Sequence, residues 1–322
     1  RVVISNSDIS SNRTNYAGGG IYSKGDLRIT QTNIHDNSAY SYAEDRKGGG
    51  ICSTGTITMS QSAIYRNDAS NGGGLYTTHA DITSVTIANN SASGVAGIGG
   101  SVYPGSGAGI SGDHIDITSC TITGNSSRYG EDYYGYYYSP GAHGISARSL
   151  RISNSIVAGN GVNADAGHHD GVDISATTSA SNGHNIFGTI STIAVAGDQQ
   201  LIDGDRLFAA IDPITGGGLL RLNGGAVPTV ALRDALDNPA LGGAEPLESA
   251  ATDARGVTRP SPGNTNPDIG AFELQQTHIS TQPTAWNDVL TGTTAASFLT
   301  AWPTGSPRPT AASSSPARRA PA

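Results

Sequence analysis

The feature that most constrains the fold of this 322-residue chain is an internal repeat with one arc of fixed length and one of variable length. A glycine before Ile or Leu recurs at Gly20, Gly50, Gly74, Gly109 and Gly144, and an asparagine three residues after an apolar residue recurs at Asn12, Asn37, Asn67, Asn90, Asn125 and Asn160. From each such glycine to the next asparagine there are 17, 17, 16, 16 and 16 residues. From each asparagine to the next glycine there are 8, 13, 7, 19 and 19, so the insertions are confined to one side of the repeat.

Inside the fixed arc, apolar residues align in columns without gaps. The first column is Val2, Leu27, Ile57, Ala80, Ile115 and Leu150, and the second is Ile4, Ile29, Met59, Ile82, Ile117 and Ile152. The two columns are two residues apart, which is the period of a β-strand. A third column holds small residues, as a narrow interior would require, at Ser7, Thr32, Ser62, Val85, Cys120 and Ser155.

A single coil cannot bury an apolar face alone. Coils stacked about 4.8 Å apart hydrogen-bond to their neighbours, and equivalent apolar residues of successive coils then bury one another. The sequence therefore predicts an all-β, right-handed parallel β-helix, a solenoid that is monomeric. About six regular coils are expected over residues 1–175, followed by the last coils and a C-terminal cap over 176–274. Residues 275–322 are expected to be a linker and a disordered tail, because 294–322 contain no acidic residue and few that pack a core.

The two recurring polar positions are predicted to be structural. Each asparagine of the column is expected to take a left-handed turn conformation and to hydrogen-bond to the asparagines of the neighbouring coils. The glycine before each following strand is expected to supply a positive φ angle.

An ordered series of motifs over more than a hundred residues resembles the bacterial choice-of-anchor Q domain proteins. The motifs are Asn154-Ser155-Ile156-Val157-Ala158-Gly159-Asn160, Gly183-His184-Asn185-Ile186-Phe187-Gly188, Asn223-Gly224-Gly225, Asp253-Ala254-Arg255-Gly256 and Asp268-Ile269-Gly270-Ala271-Phe272-Glu273. The glycine and asparagine repeats are also similar to those of polymorphic outer-membrane proteins. The stretch Asn287-Asp288-Val289-Leu290-Thr291-Gly292-Thr293 looks like the opening of RTX-type calcium-binding repeats, which do not continue here.

This resemblance implies a pectin-lyase-like β-helix on secreted or cell-surface proteins, generally without an assigned reaction, and so implies architecture more firmly than activity. Asp253, Arg255, Asp268 and Glu273 match its most recognisable positions. We interpret these four residues as an Arg-carboxylate network that ties the cap to the last coil.

Composition and charge exclude several classes of function. The net charge of −8 argues against nucleic acid as a partner, because phosphate binding needs clustered Lys and Arg. No apolar run approaches the ~20 residues that cross a bilayer, and the opening residues lack a signal-segment pattern, which suggests a mature portion or a fragment. Cys52 and Cys120 are interpreted as packing thiols, with a disulfide between them left open.

Catalytic and metal-binding patterns are sparse, and no catalytic residue or required cofactor is predicted. Asp8, Asp26, Asp81 and Asp116 are scattered over the fixed arc and are interpreted mainly as turn residues, with an acidic, calcium-binding edge of Asp26, Asp81 and Asp116 as an alternative. The densest ligand cluster is His168, His169, Asp170 and Asp173, for which a polar surface loop is the favoured interpretation and a metal site the alternative.

The variable arc concentrates tyrosine, because its insertions emerge from one side of the stack and hold nine of the thirteen tyrosines in the chain. These are Tyr40, Tyr42, Tyr103, Tyr129, Tyr133, Tyr134, Tyr136, Tyr137 and Tyr138, with Glu131 and Asp132 among them. They predict either a face that binds polysaccharide or a surface protein, or loops that fold back over the helix. Two functions follow as hypotheses: a non-catalytic adhesin or binding stalk, and a polysaccharide lyase, hydrolase or epimerase.

Overall fold

The structure is a computed structural model, and it describes residues 1–40, 46–93, 95–96, 102–103, 105–128, 130–131, 137–138, 141–161, 172–189, 195, 197–201 and 204–275. For 95–96, 102–103, 130–131 and 137–138 only the backbone is described. Arg1–Gln276 form one compact unit and Thr277–Ala322 a second. Apart from residue 275, the predicted linker and tail lie outside the described residues.

The first unit is an all-β parallel β-helix, as the sequence predicts. Sheet A consists of Val2–Ser5, Leu27–Thr30, Ile51–Ser60, Leu75–Thr83, Ile110–Thr118, Ile145–Ser153 and Ile174–Ser181, with Ile21–Ser23 also pairing with Ile51–Ser60. Sheet B consists of Asp8–Ser10, Asn33–His35, Ala63–Tyr65, Thr86–Ala88, Thr121–Thr123, Ile156–Val157, Ile186–Phe187 and Gln199–Gln200. Sheet C consists of Arg13–Thr14, Ser38–Ala39, Asp68–Ala69, Ser91–Ala92 and Ser126–Ser127.

Each coil is one turn of the chain with strands in sheets A and B, and in coils 1–5 also in sheet C. We number the coils 1 to 7 by the sheet A strands that begin at Val2, Ile21, Ile51, Leu75, Ile110, Ile145 and Ile174. In coil 2 the sheet A segment is divided into Ile21–Ser23 and Leu27–Thr30. Three antiparallel pairs complete the strands: Val95–Ala96 with Val102–Tyr103, Gly130–Glu131 with Tyr137–Tyr138, and Leu220–Arg221 with Thr229–Val230. Two short 3-10 helices are Gly204–Arg206 and Pro246–Glu248.

The register of the sheets confirms the predicted apolar columns. Leu27 pairs with Val2 and Ile57, and Ile29 pairs with Ile4 and Met59. The same register continues through coil 6, and from coil 2 onward both columns are buried. The pairing of coils 3 and 4 shifts by one residue between Thr77 and His79, before the columns, and the columns themselves stay aligned. Their alignment is required, because a shift of one residue there would turn every apolar side chain to the other face.

The asparagine column forms the predicted ladder. The backbone N–H and Nδ2 of Asn67 both donate to Oδ1 of Asn90 at 3.0 Å, and the same double contact links each of the other neighbours from Asn12 to Asn160. The predicted left-handed conformation was wrong for the asparagines. The left-handed conformation is adopted instead by the residue before each asparagine, for example Asp36, Arg66 and Asn89. The turn at that residue lets the asparagine side chain point inward.

The role predicted for the recurring glycines was also wrong. Gly50 has no positive φ, whereas Gly48, two residues earlier, has φ 66°. A Cβ on Gly50 would lie 2.6 Å from the carbonyl oxygen of Gly74 and 3.1 Å from Cγ of Asn67. Glycine is required there because the next coil and the asparagine ladder leave no room for a side chain.

The column of small residues forms a second ladder. The backbone N–H of Thr32 donates to Oγ of Ser62 at 3.1 Å, and that of Cys120 donates to Oγ of Ser155 at 3.0 Å. Cys120 Sγ accepts from the N–H of Val85 at 3.4 Å, and burial raises the pKa of this thiol to about 12. Cys52 and Cys120 are both buried, and no disulfide joins them.

Residues 204–275 form a layer along the outer face of sheet B, not a lid on the end of the helix. The layer contacts coil 7 through His184 Nδ1 and the Gly243 carbonyl at 2.8 Å, and reaches back to coil 2, where Asn33 Nδ2 donates to the Ala226 carbonyl at 3.3 Å. From coil 3 to coil 7 the outward side chains of sheet B are buried beneath it, for example Ile156 and Ile186 against Phe208 and Val230 of the layer. We call this segment the lateral layer.

The Arg-carboxylate network was predicted to tie a cap to the last coil, and this location was wrong. Arg255 donates to Oδ2 of Asp253 through Nε at 2.8 Å, to the carbonyl of Asn223 and to that of Glu273. Glu273 accepts the N–H groups of Ser261 at 2.7 Å and Asp268 at 2.9 Å. All these partners belong to the lateral layer itself.

The network contains a second arginine, Arg259, that was not predicted from the sequence. Arg259 is buried and donates to the carbonyls of Asp268 at 2.9 Å and Gly270 at 2.6 Å. Burial lowers the pKa of Arg259, while the neighbouring carboxylates Glu273, Asp253 and Asp268 act in the opposite direction. Because Asp253, Asp268 and Glu273 are fully buried and bind mainly backbone groups, the network is structural.

Candidate functional site

The outer face of sheet A carries exposed His and Asp side chains at matching positions of neighbouring coils. Alternate residues of each sheet A strand point into the core, so the residues between them point outward. In coil 4 the outward residues include His79 and Asp81, and in coil 5 they include His114 and Asp116. All four side chains are exposed while Ala80, Ile82, Ile115 and Ile117 between them are buried.

The histidines and aspartates of coils 4 and 5 are register partners. His79 pairs with His114 and Asp81 with Asp116. The two imidazole rings stack with their centroids 4.7 Å apart and their planes 25° from parallel. A carboxylate pair at the same position of adjacent coils is therefore present, and describing these aspartates as scattered was wrong.

A signal in the sequence was sufficient to find this patch. His79-Ala80-Asp81-Ile82-Thr83 and His114-Ile115-Asp116-Ile117-Thr118 share the pattern His-x-Asp-Ile-Thr. Their middle residues already belong to the aligned apolar columns, so the outward residues align as well. We call His79, Asp81, His114 and Asp116 the His-Asp patch.

The charges around the His-Asp patch are exposed and partly compensated. Arg151 Nη1 of coil 6 lies 3.6 Å from Oδ2 of Asp116, and Arg148 Nε lies 3.9 Å from Oδ1 of Asp113. These side chains are more than half exposed, so such pairs contribute little to stability and leave the carboxylates accessible.

The alternative of an acidic edge containing Asp26, Asp81 and Asp116 was only partly right. Leu27 pairs with Ile57, which places Asp26 beside Thr56 and in the column of His79, not in that of Asp81. Oδ1 of Asp26 accepts the Thr56 N–H at 3.1 Å, as expected of a turn residue. Within the described part of the chain, no group of three or more His, Cys, Asp or Glu side chains is arranged to hold a metal ion.

The loop insertions of coils 4 and 5 form two neighbouring hairpins, which we call the hairpin pair. In the first, Val95 pairs with Tyr103, and in the second, Glu131 pairs with Tyr137 and Gly130 with Tyr138. The backbones of the two hairpins contact each other. Tyr42, Tyr129, Asp132, Tyr133, Tyr134 and Tyr136 lie outside the described residues.

Tyr40 is the one predicted ligand-binding tyrosine whose side chain is described. The guanidinium carbon of Arg13 lies 4.6 Å from its ring centroid and that of Arg46 5.7 Å. The ring is half-buried. These contacts favour packing against the chain's own cations over stacking on a ligand.

The predicted cluster of His168, His169, Asp170 and Asp173 is described only at Asp173, and the other three lie outside the described residues. Asp173 is buried, and its Oδ2 accepts the N–H of Thr189 at 2.7 Å. Its Oδ1 accepts hydrogen bonds from the backbone N–H and from Nδ2 of Asn160, so both carboxylate oxygens have partners inside the fold. The interpretation of Asp173 as part of a polar surface loop was therefore wrong. The metal-site alternative for the cluster stays a prediction.

No protein-family model, curated protein or solved structure matches this chain. The resemblance to choice-of-anchor Q domain proteins thus remains a prediction. Within the described residues, no helix is long and apolar enough to span a membrane.

Proposed function

We propose that the chain is a non-catalytic, secreted or cell-surface binding module that presents its tyrosine-bearing hairpin pair to a polysaccharide or a surface protein. The observation that carries the proposal is the backbone contact between the two hairpins, because it brings the strand Val102–Tyr103 next to Gly130–Glu131, which in turn pairs with Tyr137–Tyr138. Tyrosine provides a large contact area at low entropic cost and a hydroxyl group for hydrogen bonding. Glu131, opposite Tyr137, adds a charged group at the same place.

The parallel β-helix supports this proposal by providing a rigid base. Neighbouring coils are joined by backbone hydrogen bonds in sheets A and B, and coils 1–5 also in sheet C, while the asparagine ladder links coils 1 to 6. The coils from which the loops emerge are therefore stacked about 4.8 Å apart. Binding residues carried on loops above a rigid scaffold are a common arrangement in proteins. The acidic net charge of −8 favours neutral or cationic partners over nucleic acid.

The test is a glycan-array measurement with the full chain beside a variant carrying Tyr103→Ser, Tyr137→Ser and Tyr138→Ser. Tyr22→Ser is the matched control, because Tyr22 is exposed at 53% on sheet A, away from the hairpin pair. Loss of binding in the triple variant with retention in the control supports the proposal. Equal binding by all three proteins contradicts it.

A second candidate function is a polysaccharide-active enzyme, and the paired aspartates favour it. Strands in a sheet lie about 4.8 Å apart, close to the ~5–5.5 Å between the carboxyl groups of retaining glycosidases. Asp81 and Asp116 are neighbours of this kind, with His79 and His114 two residues before them. Each glycan that binds is therefore followed by chromatography for shortened chains, and cleavage that is lost in Asp81→Asn and Asp116→Asn would support the enzyme.

A further inference from the structure

Five side chains join coils 1, 2 and 3 at the outer edge of sheet B, away from the His-Asp patch. They are Asp8 of coil 1, His35 and Asp36 of coil 2, and Tyr65 and Arg66 of coil 3. His35 and Tyr65 are register partners, and their rings stack with centroids 4.5 Å apart and planes 6° from parallel. Asp8 is the one member of this cluster that the sequence singled out, as a turn residue, and it lies instead within the strand Asp8–Ser10. The proposed function does not involve the cluster.

His35 contacts a carboxylate through each of its ring nitrogens. Nδ1 lies 2.6 Å from Oδ2 of Asp36, and Nε2 lies 3.1 and 3.2 Å from the two oxygens of Asp8. The imidazole side chain is 16% exposed. A neutral imidazole donates one hydrogen bond only, so its second nitrogen would direct a lone pair at a carboxylate. The imidazolium form donates to both carboxylates.

Arg66 binds Asp36, which leaves Asp8 dependent on His35 for a cationic partner. Arg66 donates to Oδ1 of Asp36 through Nε at 2.9 Å and to Oδ2 through Nη2 at 2.8 Å. Burial raises the pKa of Asp36, but hydrogen bonds from Arg66 and His35 outweigh this, and the net shift is downward. Burial raises the pKa of Tyr65, which keeps this phenol neutral in the range in which histidine titrates. Arg66 thus offsets the charge of Asp36, and a protonated His35 would offset that of Asp8.

We propose that His35 is a pH-sensitive clasp between coils 1 and 2. When the ring is protonated, Nε2–H holds Asp8 of coil 1. When the ring loses its proton, the hydrogen bond from Nδ1–H to Asp36 remains, because Asp36 is fixed by Arg66 and is adjacent in the chain. The Asp8 contact is lost, and coil 1 opens more readily from coil 2.

The test is hydrogen-deuterium exchange of the full chain between pH 5.5 and 8, corrected for intrinsic exchange chemistry. A charge-assisted contact between partly exposed groups is worth about 1 kcal/mol, so opening of residues 8–14 is expected to rise about 5-fold over this range. Side-chain ¹⁵N shifts of His35 report in the same samples whether both nitrogens carry protons. The clasp requires a doubly protonated ring at the acidic end.

Three variants decide the outcome. In His35→Gln the pH dependence of opening is expected to disappear. Asp8→Asn keeps the contacts among His35, Asp36 and Arg66 and is also expected to reduce the pH dependence of opening. This variant tests the proposal if His35→Gln does not fold. His114→Asn, an exposed histidine on sheet A, is expected to retain it. The proposal is overturned if the opening of coil 1 in the wild type does not depend on pH. It is also overturned if the opening depends on pH equally in the wild type and in Asp8→Asn.

Discussion

Asn160 donates both its backbone N–H and its Nδ2 to Oδ1 of Asp173, at 3.1 and 2.6 Å. In every preceding coil the acceptor of this double contact is another asparagine, so the ladder that begins at Asn12 ends on a carboxylate. The second ladder ends in the same way, because Asn185 donates its N–H and its Nδ2 to Oδ1 of Asp198 at 3.0 and 2.9 Å. Aspartate is suited to such an end, since it accepts without needing a further acceptor.

The interior of the asparagine ladder is expected to be far more sensitive to substitution than its edge. Asn90→Ala removes the acceptor of two N–H groups of Asn67 and the donor to the Ile64 carbonyl, all buried. We expect a loss on the order of 3 kcal/mol in the free energy of unfolding, measured in urea. Asn12→Ala, at an exposed position, is expected to cost less than about 1 kcal/mol. Equal losses of unfolding free energy in Asn90→Ala and Asn12→Ala would show that the buried part of the asparagine ladder contributes no more to stability than its exposed end.

Asp173 is expected to make the protein more stable as the pH falls from 7 to 5. Burial raises the pKa of Asp173 to about 6, whereas an unfolded aspartate titrates near ~3.9. The native state therefore binds the proton more tightly, and this group adds stability on the order of 2 kcal/mol as the pH falls through its native pKa. The stability difference between wild type and Asp173→Asn should then vary between pH 7 and 4, and a difference that stays constant over this range would contradict the prediction.

The glycines before the sheet A strands are expected to be required for space. In Gly50→Ala the new Cβ would meet the Gly74 carbonyl at 2.6 Å, and we expect a loss of about 1–3 kcal/mol in urea unfolding. Gly25→Ala is the matched control, because a Cβ there has no atom within 4 Å. A Gly50→Ala protein as stable as the control would show that the neighbouring coil moves aside without cost.

Glu273 is expected to be required as a carboxylate. Its two oxygens each accept a buried backbone N–H, from Ser261 and from Asp268, and the amide of Glu273→Gln would point its NH₂ group at one of them. We expect a loss of about 1–3 kcal/mol, measured by thermal and urea unfolding. Glu248→Gln changes an exposed glutamate of the same lateral layer and should be neutral. A neutral Glu273→Gln would argue against the network's structural role.

The sequence by itself determined the β-helix, its register and the asparagine ladder. This was possible because these features repeat, so that columns such as Ile29, Met59 and Ile82 report the same environment several times. The His-Asp patch was equally readable from the pattern His-x-Asp-Ile-Thr, and only its significance was missed. Periodicity carries this information because stacked coils place equivalent residues in contact.

Only the tertiary structure decided what lies outside the repeat. The lateral layer covers sheet B because the outward side chains of that sheet, such as Ile156 and Ile186, are apolar and need burial, but no periodic signal shows which segment supplies it. Asp173 reaches Asn160 and Glu273 reaches Ser261 through turns that occur once in the chain. Such contacts depend on the path of the backbone, which a single sequence without repetition at those positions does not specify.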